Sequence, residues 1–291
     1  MPPITIVDRS AVLLLGVCAG AAIGFSFAGH AGSTALPVKG ATCTALARTD
    51  AAPEVTAARL CAGPAQRQLL ATIRKGAPVT VAVFGDSYGD GVWSGLQRQL
   101  PHDQFTVVKY SAPATGFTRY KRLNLEAQAS DQLGNTPIDV AVISFGANDT
   151  QGINTEDGKH APFMGDLWRA TIAARLDRFV GLLRKHHAMV YWVGLPRMRE
   201  AQADTDIGAV NDFYASEMAR LEVPFIDTRP LASDKKGQYA AYLPDPKTGA
   251  PVLMREGDGI HMSMTGYLWI TKGLVGRIRN YVDATRAMDA K

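Results

Sequence analysis

The sequence predicts an α/β protein built on a parallel sheet with helices on both faces. Two observations carry this. Five short apolar runs recur without the clean alternation of a half-exposed strand, as strands covered on both faces should read. Patterns of helical period separate several of them, and strands alternating with helices favour crossover connections and a parallel sheet. The length, 291 residues, suits one such domain plus a leader, or two small domains.

The apolar runs are Val79–Phe84, Phe105–Tyr110, Val140–Ser144, Ala188–Val193 and Pro224–Ile226. A first helix is expected over residues 65–74 and a second over Asp90–Leu100. The long segment Asp166–His187 carries Leu167, Ile172, Leu176, Phe179, Val180 and Leu183 on one helical stripe. Further helices are expected over Val210–Leu221 and over Thr265–Ala284, the last with Ser263 or Thr265 as its N-cap. Ser111–Pro137 contains Pro113 and Gly116 and then a polar helix-like stretch. Ser233–Glu256, rich in Gly, Pro, Asp and Lys, reads as an irregular excursion or a small hairpin.

Residues 1–31 read as a signal peptide or a membrane anchor. Residues 11–28 carry no charge, a stretch long for the first and short for the second. Gly16, Gly20 and Gly24 recur every fourth residue, a spacing that lets membrane helices approach closely. Cys18 follows Val17, and that bulk argues against a lipoprotein signal. Residues 32–77 read as a linker with a short helical segment, and the main domain as 78–291. The expected destination is the periplasm, with the leader either cleaved or kept in the inner membrane. In that oxidising compartment Cys43 and Cys61 are expected to pair.

A net charge of +4 is spread thinly, with no basic stripe of the kind nucleic-acid binding needs. The six histidines are dispersed, and no Cys or His spacing resembles a zinc site. No metal or organic cofactor is implied.

Three signatures carry chemistry, each at the end of an apolar run or before a helix. Gly85-Asp86-Ser87-Tyr88 follows the first run, where a glycine-bracketed turn exposes a serine hydroxyl. Gly146-Ala147-Asn148-Asp149 follows the third. Asp258-Gly259-Ile260-His261 precedes the last helix. In an open α/β sheet ligands bind beyond the carboxyl ends of the strands, where Ser87, Gly116, Asn148 and His261 would converge. Ser87 is the candidate nucleophile, His261 its general base and Asp258 the group that orients the imidazole. The N–H groups of Ser87 and Gly116 and the Asn148 amide are candidate oxyanion donors. Asp86 and Asp149 are expected to shape their loops by accepting N–H bonds, and Asp90 to be a first-turn helix acid. Arg119, Lys121 and Arg122 follow Gly116, within reach of an anionic or sugar substrate or simply solvated.

These blocks resemble the SGNH, or GDSL-type, hydrolase superfamily over about residues 78–285. The blocks fall on Gly85-Asp86-Ser87, Gly116, Gly146–Asp149 and Asp258–His261, and Tyr88 stands where the family's name has leucine. Residues 191–198 and 225–228 are similar to a mostly exported bacterial branch. The resemblance implies a three-layer α/β/α sandwich of flavodoxin-like type with a five-stranded, mainly parallel sheet. It also implies Ser87, His261 and Asp258 as the triad, with Ser87, Gly116 and Asn148 as the oxyanion hole. The expected substrate is an acylated carbohydrate or another ester. The leading expectation is an exported esterase that removes O-acyl groups, acetyl foremost, from carbohydrate. A polysaccharide O-acetyltransferase would use the same residues, beside a membrane acyltransferase partner docked on the glycine face of residues 11–28. A non-catalytic glycan-binding or scaffold module is the third reading.

Overall fold

The computed structural model describes residues 63–289. The apolar stretch 11–28, its glycines and the Cys43–Cys61 pair lie outside the described residues. In chain order the elements begin with α1 (Pro64–Arg74), β1 (Val79–Gly85), α2 (Ser87–Gln99), β2 (Phe105–Lys109), α3 (Leu125–Leu133) and β3 (Val140–Ser144). A small ribbon follows, β4 (Ile153–Asn154) and β5 (His160–Ala161), then α4 (Asp166–Lys185), β6 (Met189–Val193), α5 (Ala201–Arg220) and β7 (Phe225–Ile226). A hairpin, β8 (Tyr242–Pro244) and β9 (Pro251–Leu253), and the closing helix α6 (Met264–Asp289) complete the chain.

The central sheet runs β2-β1-β3-β6-β7 with every neighbouring pair parallel. Its five strands in chain order therefore lie 2-1-3-4-5, the flavodoxin-like order, with the crossover direction reversing between β1 and β3. Side chains alternate across it. Ala82, Phe84, Ala141, Ile143, Val190 and Trp192 face one core with α3, α4 and α5. Val81, Val83, Val140, Val142, Tyr191 and Val193 face the other with α2 and α6. Burial on both faces of β1, β3 and β6 explains why these three strands read as unbroken apolar runs, each large side chain contributing roughly 1.5–3 kcal/mol, whereas the edge strands β2 and β7 are only partly buried. Helix α1, which precedes residue 78, packs into the second core through Leu69, and Thr72 Oγ1 donates to Asp139 Oδ1 at 2.7 Å.

Two helix starts differ from expectation. α2 begins at Ser87 rather than near Asp90, because Asp86 Oδ1 accepts the Tyr88 N–H at 2.8 Å and caps it there. α5 begins at Ala201 rather than Val210, because the Glu200 carboxylate accepts the N–H groups of Gln202 and Ala203. On α4, Leu167 lies outside the buried stripe at 41 % exposure, and the neighbouring Trp168 is buried instead. Ser263, not Thr265, caps α6: its Oγ accepts the Gly266 N–H at 3.1 Å. The excursion at 233–256 contains a true hairpin, and its Leu243 and Met254 join Tyr88, Leu195, Met198, Met262 and Tyr267 in a third cluster.

Candidate active site

The register of β1 on β3 pairs Gly85 with Ser144, and the Asp86 N–H donates to the Ser144 carbonyl at 3.3 Å. The loops after β1 and β3 thus leave the sheet side by side at the switch point. Ser87 is the first residue of α2, so its N–H is one of the helix's unpaired donors and sits at the positive end of the macrodipole.

The Asp258–His261 loop meets Ser87 from the other side. His261 Nε2 lies 2.8 Å from Ser87 Oγ, and Nδ1 lies 2.6 Å from Asp258 Oδ2. A carboxylate only accepts, which assigns the proton of the neutral ring to Nδ1 and leaves Nε2 to receive the serine proton. The other oxygen of Asp258 accepts the N–H groups of Ile260 (2.8 Å) and His261 (2.9 Å). Partial burial raises the Asp258 pKa. The His261 hydrogen bond and the two N–H bonds outweigh it and lower the pKa to about 2. Gly259, at φ +75°, makes the turn between them, and a Cβ there would also stand 2.6 Å from Arg199 Nε.

Gly116 and Asn148 occupy the opposite rim. Among the described residues no acceptor faces the N–H of Ser87 or Gly116. The Asn148 amide donates to the Thr115 carbonyl at 2.9 Å and stands 3.4 Å from Asp86 Oδ2. Its two N–H groups are therefore both engaged, one holding the Gly116 loop through Thr115 and the other making a longer bond to the Asp86 carboxylate. Gly116 is extended, at φ 169°, so backbone strain is not the reason for glycine. Close approach is: a Cβ would stand 2.6 Å from Asp149 Oδ1. Arg119 turns back on this loop, donating to the Ala114 carbonyl at 2.7 Å.

Asp86 and Asp149 are fully buried, one behind each loop. Asp149 accepts the Thr118 N–H (2.8 Å), the Thr118 hydroxyl (2.9 Å) and the Tyr214 hydroxyl (2.6 Å), tying the Asn148 loop to the Gly116 loop. Burial raises the Asp149 carboxyl against those bonds. Burial also raises Asp86, to about 7; the Tyr88 N–H opposes the rise and the nearby Asp149 charge adds to it. Sequence reasoning missed Thr118 and Tyr214. Neither belongs to a motif, and Tyr214 reads only as one more apolar position of a helix. It also missed Arg175, buried on α4, whose Nη1 donates to the Phe117 carbonyl beside Gly116 at 2.7 Å.

The arrangement offers an activated hydroxyl, a base with an oriented tautomer and two free N–H groups on one rim. That is the equipment of acyl transfer.

Solved structures to which the chain is similar include TesA (17 % identity, 69 % of this chain and 99 % of that one, TM-score 0.47). Another is a GDSL-like lipase from Bacteroides thetaiotaomicron VPI-5482 (12 %, 74 % and 100 %, 0.47). A third is the acetyl xylan esterase AlAXEase (17 %, 69 % and 100 %, 0.47). Likenesses this distant carry no weight in assigning chemistry, which rests on the residues themselves. No curated protein matches the chain. A family model does, over residues 80–277, which span β1, both rim loops and the Asp258–His261 loop, and the chain therefore belongs to the family described as Protein of unknown function (DUF459).

Proposed function

We propose that this protein is an exported serine esterase that removes O-acyl groups, acetyl foremost, from carbohydrate of the cell envelope or its surroundings. The observation that carries the hydrolase reading is the unbroken line from Asp258 through His261 to Ser87, at 2.6 and 2.8 Å. In this reading Ser87 Oγ attacks the ester carbonyl as His261 Nε2 takes its proton. Asp258 stabilises the imidazolium that forms. The developing oxyanion is held by the N–H groups of Ser87 and Gly116 and by the second N–H of Asn148, which exchanges its long 3.4 Å bond to Asp86 Oδ2 for the oxyanion. Collapse breaks the ester bond, and the sugar hydroxyl leaves with the proton from His261. Water, deprotonated by His261, then releases the acyl group from Ser87 and restores the free serine.

Export is supported by the uncharged stretch 11–28 and the small residues after it. The carbohydrate ester follows from that compartment, where glycan O-acyl groups are within reach. The test is acetate release from an O-acetylated glycan by wild type and Ser87→Ala, with and without an acceptor sugar. Release that disappears in Ser87→Ala is the expected result. Turnover surviving Ser87→Ala, or glycan binding without turnover of any ester, would contradict the reading. Acyl transfer to the acceptor in excess of release would make the protein a transferase.

A further inference from the structure

Ile260 separates Gly259 from His261, and its carbonyl points inward to two donors. One is the Tyr88 hydroxyl and the other is Arg255 Nη2, at 2.7 Å. Both side chains are 1 % exposed. The Tyr88 ring also lies nearly parallel to the His261 imidazole, with centroids 5.8 Å apart and planes at 22°.

Arg255 is unusual in its surroundings. Among the described residues no carboxylate pairs with it. Its donors go to main-chain carbonyls, Arg197 at 2.6 Å and Ile260, with His261 at 3.4 Å, and to Met198 Sδ at 3.7 Å. Its guanidinium stands 4.8 Å from the Tyr239 ring centre. Burying a guanidinium without a counter-ion costs several kcal/mol, and an apolar side chain would suit a cluster of Met198, Leu243, Met254 and Met262 better. What the charge supplies there is a rigid fork of donors aimed at the carbonyls around the base loop.

Tyr88 closes a short circuit. Ser87 and Tyr88 are consecutive residues in the first turn of α2. From Tyr88 the path runs through its hydroxyl to the Ile260 carbonyl, along one peptide to His261, and from Nε2 back to Ser87 Oγ. One helix turn thus carries both the nucleophile and a tether on the base.

We propose that Tyr88 and Arg255 are positioning residues, a two-donor clamp on the Ile260 carbonyl that sets the separation of His261 Nε2 from Ser87 Oγ. The proposal rests on the reading of Ser87 as nucleophile and His261 as base. Tyr88→Phe deletes the hydroxyl and keeps the ring; Arg255→Lys keeps a charge, and Arg255→Met removes it. The full-length chain serves for all variants, with folding checked by circular dichroism. Two readouts are used: kcat and KM on a small activated ester, and the low-field proton resonance of His261 Nδ1–H bonded to Asp258.

Tyr88→Phe is expected to lower kcat about tenfold with KM unchanged, since small misplacement of a catalytic group is costly. It is also expected to broaden or shift the low-field resonance. Arg255→Lys is expected to retain more kcat than Arg255→Met. Should the arginine variants fail to fold, Tyr88→Phe decides alone. A folded Tyr88→Phe protein with wild-type kcat and an unmoved resonance would overturn the clamp. So would a fall in activity that appears in KM while the resonance stays put. The resonance is read without substrate, so a wild type lacking all ester turnover would remove the esterase reading and leave the clamp to be judged on the resonance.

Discussion

Gly116 lies so close to Asp149 that a Cβ on it would stand 2.6 Å from Oδ1. Asp149 in turn accepts two bonds from Thr118 and one from Tyr214. The carboxylate therefore fixes how near the Gly116 loop comes to the Asn148 loop. Gly116→Ala is expected to push the loops apart without deleting any donor. The expected fall in kcat is roughly 10- to 100-fold, with KM moving less. Steady-state kinetics on a small ester check this, and an unchanged kcat would show that Gly116 has no part in the rim.

Asn148 supplies the side-chain donor of the proposed oxyanion hole. Asn148→Ala is expected to reduce kcat by about 10²–10³. Part of that loss comes from freeing the Thr115 carbonyl, which now accepts from the amide at 2.9 Å. Asn148→Asp, which replaces a donor with a charge, is expected to be worse. Equal kcat in wild type and Asn148→Ala would exclude the amide from the reaction.

Asp258 holds the imidazole proton on Nδ1. Asp258→Asn presents an amide there and favours the wrong tautomer, so kcat is expected to fall by about 10²–10⁴. The loss is expected toward the lower end because the Asp258 side chain is 44 % exposed and water replaces part of its role. The same variant should lose the low-field resonance of His261. A resonance that persists would mean that another group holds Nδ1.

Asp86 makes a prediction about stability. Its carboxyl titrates near 3.8 when free and near 7 in the folded protein, chiefly because it is buried. Between those values the folded state binds more protons than the unfolded one. Stability from this group therefore falls as pH rises through that window and is level above it. Asp86→Asn imitates the protonated acid and can still accept the Tyr88 N–H. It is expected to match wild type at about pH 4 and to gain on it by about pH 8, by on the order of 2–4 kcal/mol. Chemical denaturation at the two pH values measures this, and a difference that does not change with pH would contradict it.

How far the chain was legible depends on what kind of contact each residue makes. Ser87, Asn148 and His261 stand at the ends of elements whose apolar or helical pattern is strong, and the parallel sheet brings such ends to one rim. Asp86 and Asp149 were readable as loop-shaping acids because turn acids commonly accept nearby N–H groups. Gly116 was readable as a rim residue, but the reason glycine is needed there is a contact with Asp149, 33 positions away in the chain. The start of α5 was not legible, because its first turns carry alanines, aspartates and a threonine instead of an apolar stripe. Tyr88 and Arg255 were not legible as a pair. Arg255 lies in the aperiodic stretch 233–256, and both donate to a main-chain carbonyl, a partner that leaves no mark on residue type.

The most direct test of an activated serine at position 87 needs no knowledge of the substrate. The protein is exposed to a fluorophosphonate, digested and examined by mass spectrometry, alongside His261→Ala. The expected result is a single adduct on Ser87 in wild type that is lost or strongly reduced in His261→Ala. An unlabelled Ser87, or labelling that survives the loss of the imidazole, would contradict the account.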